Sequence, residues 1–309
     1  MRSMLANTLI DTLVTGLPFA PAFLGIFLVL RIRADFDLTV EGSFALGAAV
    51  TAVTLVAGVP AWLAVAAGVV SGALAGLVTA LLNLLLRIPV LMAGLIMSMG
   101  LFTVTLRTLG RPTVSLIGEE TIFAGVAATP GRAADLGTSA VLLGIVVVVF
   151  AAVVAFLTSE LGLALRASGA NPRMARGQGV NDNALLVLSL MLANGLSALS
   201  GGLVAQVQGF ADVNMSFGLF VAGAGAVLLG ALLVNPGGSQ VMRMAVAVLV
   251  GCLLYRLVLV CALRFGLPAG DLRGVTALTL LLAIAAQAHL APVLARYRVG
   301  SLAPEATRV

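Results

Sequence analysis

The chain has 309 residues, of which 61% are hydrophobic and only 9% are charged. Soluble domains carry about 25% charged residues, so this composition predicts an integral membrane protein and excludes a water-soluble fold. All 17 basic residues are arginine, so the chain has no lysine for a P-loop or a Schiff base. One histidine and two cysteines are too few for a metal site, which usually needs about three or four ligands. The net charge of +5 is better explained by orientation in a membrane than by nucleic-acid binding.

Hydrophobic stretches follow one another along almost the whole chain. Most approach the roughly 20 residues that cross a hydrocarbon core, and nine can be distinguished at 7–30, 43–58, 61–86, 88–106, 138–158, 184–208, 217–234, 240–264 and 270–291. The second and the seventh are short and rich in glycine, so either is expected to be a broken or partly re-entrant helix. The sequence therefore predicts an all-α integral membrane fold. It is expected to be a single transmembrane domain over residues 1–309, a polytopic bundle of about eight to ten helices.

The distribution of arginine predicts the orientation of the spans. Loops rich in positive charge stay in the cytoplasm, and Arg31 and Arg33 follow the first stretch, so the amino terminus is expected outside. In that topology ten arginines lie in the cytoplasm, six lie outside, and Arg256 lies within a span. A polar loop at about 159–183 is then cytoplasmic, and a loop at about 107–137 is external.

Small residues suggest how the spans pack. Gly68, Gly72 and Gly76 recur every fourth residue and predict a smooth helix face, for helix packing either within the subunit or at a subunit interface. A second pattern relates "EGSFALGAAV" at 41–50 to "MSFGLFVAGAGAV" at 215–227, each of which follows an acidic residue and precedes a proline turn and a long span. In the predicted topology the two copies run in opposite directions, as in transporters with inverted repeats, although the shared residues are few.

The polar loop 159–183, "SELGLALRASGANPRMARGQGVNDN", carries signals for a short helix. Asn171 is a good N-cap, and Pro172 suits the first helical position because its missing N–H is not needed there. Gly177 and Gly179 can end the helix after about two turns. A short helix lying across the membrane surface is therefore expected in this loop.

The short helix carries two arginines, Arg173 and Arg176. Such an element can dock in a groove on a soluble partner and transmit the movement of that partner to the spans. Alternatively, a basic cytoplasmic loop can simply bind anionic lipid headgroups. The chemistry of the residues leaves both interpretations open.

The loop resembles the coupling segment of bacterial ABC importer permeases from the branched-chain amino acid and ribose transporter superfamily. In that family a glycine precedes the run "R-A-x-G-x-N-P-x-x-A-x-x-x-G-[IV]-N". The matching residues here are Gly162, Arg166, Ala167, Gly169, Asn171, Pro172, Ala175, Gly179, Val180 and Asn181. The next span, "SLMLANGLSALSGGLVAQVQG", is similar to the family's "SGxLAALAGxLxA" helix, and "DFDLTVEGSFALGAAV" is similar to its "DLSVG…ALGA" segment. The form with Thr39, Val40, Glu41 and Gly42, like the carboxyl-terminal tail, resembles a branch often associated with tryptophan or tyrosine uptake.

The resemblance implies the permease subunit of an ATP-driven importer for a small polar solute, with a tryptophan- or tyrosine-like amino acid expected. It implies that the chain lies in a bacterial inner membrane and has three partners. These are a cytoplasmic ATPase dimer that binds ATP and Mg²⁺, a second permease copy or homologue, and a periplasmic or lipid-anchored substrate-binding protein. The chain itself is then no enzyme and needs no cofactor. Its coupling residues would be Arg166, Gly169, Asn171, Pro172, Arg173, Ala175, Arg176 and Gly179. The alternative is a self-sufficient secondary transporter driven by a proton or sodium gradient, although acidic residues within the spans are scarce.

Polar side chains inside the hydrophobic stretches are costly in hydrocarbon and usually face a cavity or another helix. Asn194, Ser197 and Gln208 fall on one narrow helical face and are therefore candidates to line a translocation path. Hydrogen bonding between helices is the alternative for all three.

Charged residues within or beside the spans extend this set of candidates. Arg256 lies about 12 Å deep by helical rise and is expected to snorkel outward, to pair with an acid such as Asp212 or Asp37, or to meet a substrate carboxylate. Asp37 and Glu41 are four residues apart, so a helix would place both on one face. There they would cap the amino end of the next segment or take part in gating.

Overall fold

The computed structural model describes residues 2–127, 131–233, 241–272 and 274–285, and these form a helical membrane bundle. Seven helical segments are long and apolar enough to cross a membrane, and two shorter apolar helices complete the nine predicted stretches. The helices are α1 (Arg2–Gly16), α2 (Ala20–Phe27), α3 (Thr39–Val56), α4 (Ala61–Leu86), α5 (Val90–Leu109), α6 (Ala124–Ala127), α7 (Arg132–Thr158), α8 (Glu160–Ala170), α9 (Pro172–Gly177), α10 (Asp182–Gln208), α11 (Leu219–Leu233), α12 (Val241–Arg264) and α13 (Gly274–Ala285). Two short strands, β1 (Thr113–Ser115) and β2 (Phe210–Asp212), pair antiparallel.

The first span consists of several consecutive helical pieces. A 3-10 turn at Leu17–Phe19 joins α1 to α2, and a π-turn at Leu28–Arg33 ends the span. Pro18 and Pro21 lack the backbone N–H of a regular helix, which accounts for the 3-10 turn between α1 and α2. From residue 16 to residue 29 nearly every side chain is buried, so this span lies at the centre of the bundle.

Helices α3, α4 and α10 approach one another closely through glycine. A Cβ atom on Gly72 would lie 2.3 Å from the Cβ atom of Ala198 in α10, and one on Gly76 would lie 2.3 Å from the carbonyl oxygen of Leu190. Gly68 faces α3 at a similarly short distance. The glycine stripe on α4 therefore packs against helices of its own chain, which is the first of the two predicted alternatives, packing within the subunit.

Helix α3, with 18 residues, is the shortest of the seven long helical segments, and it begins inside the bundle. The first span ends at Arg33, and residues 34–38 then continue without regular structure to the start of α3. Asp37 is bonded to Asn194, which lies about three helical turns into α10. The chain has therefore re-entered the bundle to near mid-depth before α3 begins.

Helix α11 is the counterpart of α3. After β2 the chain runs through residues 213–218 into the bundle, where the amide N–H of Phe220 donates to the Oε1 atom of Glu41 in the first turn of α3 (3.1 Å). From this shared level α3 runs alongside the second half of α10, whereas α11 runs the other way and packs Gly230 against Ala247 near the start of α12. We call α3 and α11 the half-helices, because each begins at this shared level and runs from it toward one end of the bundle. Their opposite directions match the inverted arrangement indicated by the sequence repeat.

The two ends of the bundle differ in structure. We call the end that carries α8 and α9 the coupling end, and the end that carries β1 and β2 the ribbon end. At the ribbon end Val114 lies opposite Ala211 in the register of the strands, and Arg264 forms a 2.7 Å ion pair with Asp11.

The loop expected at 107–137 is shorter than predicted, because α5 continues to Leu109 and α7 already begins at Arg132.

Candidate functional site

The short helix expected in the polar loop is α9, and its ends are formed as the sequence indicated. The Oδ1 atom of Asn171 accepts a hydrogen bond from the N–H of Met174 (3.1 Å), and Pro172 occupies the first turn. Gly179 follows with φ of +82°, a left-handed conformation that favours glycine. Arg166, on α8, donates from Nε to a carbonyl oxygen of its own helix (3.4 Å). The loop thus contains two consecutive short helices, α8 and α9, of which only α9 was predicted from the sequence.

The remaining motif residues divide into a buried side and an exposed side. A Cβ atom on Gly169 would lie 2.0 Å from the carbonyl oxygen of Ile32, so only glycine allows α8 to contact the end of the first span. Ala175 is buried against the bundle. Arg173 and Met174 point to solvent, and Met174 is 66% exposed. The exposed side is therefore available to a partner, while the buried side fixes the segment to the spans.

A buried ionic cluster joins α9, α10 and the first span. The Arg33 side chain, only 8% exposed, lies 3.0 Å from Asp182 and 3.3 Å from Asp35, and it also donates to the Ser168 hydroxyl (2.8 Å). Ser168 in turn donates to Asp182, and Arg176 of α9 lies 3.6 Å from the second Asp182 oxygen. Burial raises the pKa of the Asp35 carboxyl, and the neighbouring Arg33 guanidinium opposes this rise. Asp182 and Ser168 were not among the site residues predicted from the sequence.

The two acidic candidates lie at the starts of the two half-helices. Asp37 accepts hydrogen bonds from the N–H of Thr39 (2.8 Å) and from the side-chain amide of Asn194 (2.7 Å). Glu41 accepts the N–H of Phe220. Each carboxylate therefore meets the positive end of a helix. The expectation that both would share one helix face is wrong, because α3 begins only at Thr39 and Asp37 precedes it.

Asn194 and Ser197 are fully buried between α3 and α10. The Ser43 hydroxyl donates to the Oδ1 atom of Asn194 (2.6 Å), and the Ser197 hydroxyl donates to the carbonyl oxygen of Val40 (2.6 Å). These are hydrogen bonds between helices, the alternative to a pore-lining position. Gln208, at the end of the same helix, is exposed and lines a cavity. Of the three predicted pore-lining residues on this helix, Asn194 and Ser197 are therefore buried against α3, and Gln208 faces a cavity.

A cavity of about 370 Å³ lies between the first span, α11 and α12. Its walls include polar side chains and aromatic rings, namely Gln208, Tyr255, Arg256, Thr276, Phe19, Phe23 and Phe217. The guanidinium carbon of Arg256 lies 4.5 Å from the centre of the Phe19 ring. The expected ion pair of Arg256 with Asp37 or Asp212 is not formed, because Asp37 binds Thr39 and Asn194 and Asp212 accepts the Thr113 hydroxyl (2.6 Å).

A second cavity, of about 340 Å³, shares the Phe217 side chain with the first. Glu41 and Ser98 supply polar groups to it, and Met99 and Phe102 supply apolar ones. The Phe217 and Met99 side chains are 72% and 70% exposed, so this cavity is a groove on the outside of the bundle. We call it the Glu41 groove.

The chain is similar over most of its length to transport permeases. The protein family described as "Branched-chain amino acid transport system / permease component" matches residues 8–286. The "Tyrosine transport system permease protein" of Clostridioides difficile (strain R20291) is 28% identical, over 84% of this chain and 84% of the relative. The "Uncharacterized protein RP368" of Rickettsia prowazekii (strain Madrid E) is 31% identical, over 90% of this chain and 97% of the relative. No solved structure matches.

Proposed function

Because the chain belongs to the branched-chain amino acid transport system permease family, we propose that it is the membrane subunit of an ATP-driven ABC importer in a bacterial inner membrane. The solute is small and polar, and the 28% identical tyrosine transport permease makes an aromatic amino acid the first candidate. The partners are a cytoplasmic ATPase dimer that binds ATP and Mg²⁺, a second copy or homologue of this chain, and a periplasmic or lipid-anchored substrate-binding protein.

The observation that carries the proposal is the connection from the exposed helix α9 to the ionic cluster. Arg173 and Met174 of α9 face solvent, where a soluble subunit can bind them. On the same short helix Arg176 reaches Asp182, which holds the buried Arg33. A force applied to the exposed side of α9 is therefore transmitted to a buried ion pair rather than lost in a loose loop.

From Arg33 the connection continues into the middle of the bundle. Residues 34–38 follow without regular structure and include Asp37, whose carboxylate is bonded to α10 and to the first amide of α3. Glu41 in the first turn of α3 then holds the start of α11. The half-helices are thus linked to α9 by a short chain of direct contacts. ATP binding to a partner shifts the populations of the bundle's states if the partner then favours one position of α9, and this connection carries that preference to the half-helices.

The Glu41 groove supports the expectation of a second membrane subunit. A carboxylate near mid-depth is costly when it faces lipid, and such groups normally face a cavity or another protein surface. The groove lies on the outside of the bundle and exposes Phe217 and Met99. A second copy that covers this groove would remove Glu41 from lipid and enclose a polar path between the subunits.

The proposal is tested by purifying the tagged chain from native membranes in mild detergent and identifying the proteins that accompany it. We expect an ATPase to co-purify with the wild-type chain and to be lost with Arg173→Glu, because that residue is exposed and outside the ionic cluster. The matched control is Arg111→Glu, which reverses an equally exposed charge near the ribbon end and should retain the ATPase.

Reconstitution in liposomes distinguishes the alternatives. Uptake that requires the co-purified ATPase and ATP supports the importer. A chain that purifies alone and takes up solute in response to a proton or sodium gradient contradicts the proposal and makes the protein a secondary transporter.

A further inference from the structure

The cavity between the first span, α11 and α12 contains a cation without a counterion. Arg256 is always charged at physiological pH, and within the described ranges no carboxylate forms a salt bridge with it. Among the residues that the structure describes, the guanidinium contacts the face of the Phe19 ring, a cation–π interaction. Arginines inside membrane spans usually pair with an acid or a carbonyl group, so an arginine left facing a cavity indicates an anionic ligand.

The position of Arg256 differs from that of an arginine that snorkels to the membrane surface. Arg264, eight residues later on α12, lies at the ribbon end and pairs there with Asp11. Arg256 instead lies beside the first span, where Gly16 leaves room for it: a Cβ atom on Gly16 would lie 3.1 Å from the Cγ atom of Arg256. The guanidinium is thus held over Phe19 inside the bundle.

The start of α11 contributes a second feature that favours an anion. Gly218, Leu219, Val221 and Ala222, around the first turn of this 15-residue helix, line the same cavity as Arg256. The N-terminal end of a helix carries a partial positive charge. Here the amides of Leu219, Phe220 and Ala222 are already bonded to Ser216, Glu41 and Gly218, so this helix end can add a favourable field but few hydrogen bonds. The N–H of Phe220 is bonded to Glu41, but Glu41 lies in the other cavity, so the wall that α11 presents to Arg256 includes no acidic side chain.

The rest of the wall suits a ring. Phe19, Phe23 and Phe217 are aromatic, and the hydroxyls of Tyr255 and Thr276, which are bonded to each other (2.8 Å), add a polar edge. A volume of about 370 Å³ lies within the roughly 300–1,000 Å³ of small-molecule sites.

We infer that this cavity is a binding site for an aromatic carboxylate: Arg256 holds the carboxylate and the aromatic wall holds the ring. The inference rests on the proposed function, because it gives the transported solute a place inside the membrane subunit. None of the described residues that line this cavity is acidic, so the site recognises the carboxylate and the ring of the solute and not its ammonium group.

The test measures equilibrium binding of tritiated L-tyrosine to the purified complex of this chain with its ATPase, without the substrate-binding protein. Two analogues then compete: 3-(4-hydroxyphenyl)propionate keeps the carboxylate and lacks the amine, whereas tyramine keeps the amine and lacks the carboxylate. We expect the propionate to displace tyrosine and tyramine to fail. Because this comparison uses the wild-type complex, it does not depend on the folding of a variant.

Variants then assign the effect to Arg256. Loss of a charge-assisted contact raises the Kd by roughly 10- to 100-fold, so Arg256→Gln should weaken tyrosine binding by that factor and Arg256→Lys by less. The matched control is Arg264→Gln, which removes a positive charge from the same helix outside the cavity and should leave the Kd unchanged.

Three results would overturn the inference: equal competition by tyramine and the propionate, unchanged binding in a folded Arg256→Gln complex, or no saturable binding of either carboxylate to the wild-type complex. ATP-driven uptake by the complete importer is measured in parallel. If uptake of tyrosine persists in the Arg256→Gln importer with an unchanged KM, the site is wrong while the proposed function stands. If no ATP-driven uptake occurs in the wild type, the proposed function itself fails.

Discussion

Replacing Arg33 with methionine should destabilise the coupling end, because it leaves Asp182 as a buried charge with a weaker partner. The two side chains are 8% and 11% exposed and 3.0 Å apart, a separation at which the attraction is about 5–6 kcal/mol for an effective dielectric constant of about 20. Opening such a pair from one side costs roughly 3–5 kcal/mol. Arg176 remains near Asp182, but it is 57% exposed and 3.6 Å away, so we expect the lower part of that range.

The assay is thermal unfolding of the purified chain in one detergent at fixed pH and salt. At roughly 2–4 °C per kcal/mol, Arg33→Met should lower the apparent Tm by about 6–12 °C. The double variant Arg33→Met/Asp182→Leu removes both charges of this pair, and the remaining Asp35 is 30% exposed and can be hydrated. Apolar replacement of a buried pair is often neutral or stabilising, so most of the lost Tm should return. ATP-driven uptake should nevertheless stay low in the double variant, since the link to α9 is gone.

Two outcomes would refute this reasoning. A single variant that melts within about 2 °C of the wild type would show that the ion pair adds little to the stability of the coupling end. Full uptake by the stable double variant would show that the ion pair does not carry the movement of α9 to the half-helices.

The other predictions concern helix packing and the carboxylate between the half-helices. Gly76→Ala places a Cβ atom 2.3 Å from the Leu190 carbonyl oxygen and should cost about 1–3 kcal/mol through overpacking, measured as a lower Tm. Gly100→Ala, where nothing lies within 4 Å, should leave the Tm almost unchanged; equal effects would contradict the packing. Glu41→Gln keeps an acceptor for the Phe220 N–H and loses only the charge, a cost of about 0.3–1 kcal/mol. Glu41→Ala also removes the acceptor and should lower the Tm further, and identical Tm values for the two variants would argue against the hydrogen bond.

Local signals in the sequence were sufficient for the helices and for the short helix α9. Each of the nine hydrophobic stretches is helical in the described residues, because a backbone in lipid must satisfy its own hydrogen bonds. Asn171 and Pro172 form the start of α9 as expected, since a cap depends on the few residues around it. The opposed half-helices α3 and α11 were also indicated, by a weak repeat of small residues.

Contacts between distant parts of the chain could not be predicted in the same way. Arg33 and Asp182 are far apart in sequence, and no local pattern relates them. A helical period places Asn194 and Gln208 on one face, but it cannot distinguish a face that packs against α3 from one that reaches a cavity. Only the packed bundle shows that the Asn194 end is sealed by hydrogen bonds and the Gln208 end is open.

The sequence by itself thus determined the membrane class, the helices, the family motif and the capping of α9, all of which follow from composition or from neighbouring residues. The tertiary structure alone decided the depth at which α3 begins, the partners of Asp37 and Glu41, the ionic cluster around Arg33, and the cavity that Arg256 faces. The physical reason is that hydropathy and capping energies act between neighbouring residues along the chain. Burial and pairing of charge depend instead on which helices meet, and that is set by close packing over the whole bundle.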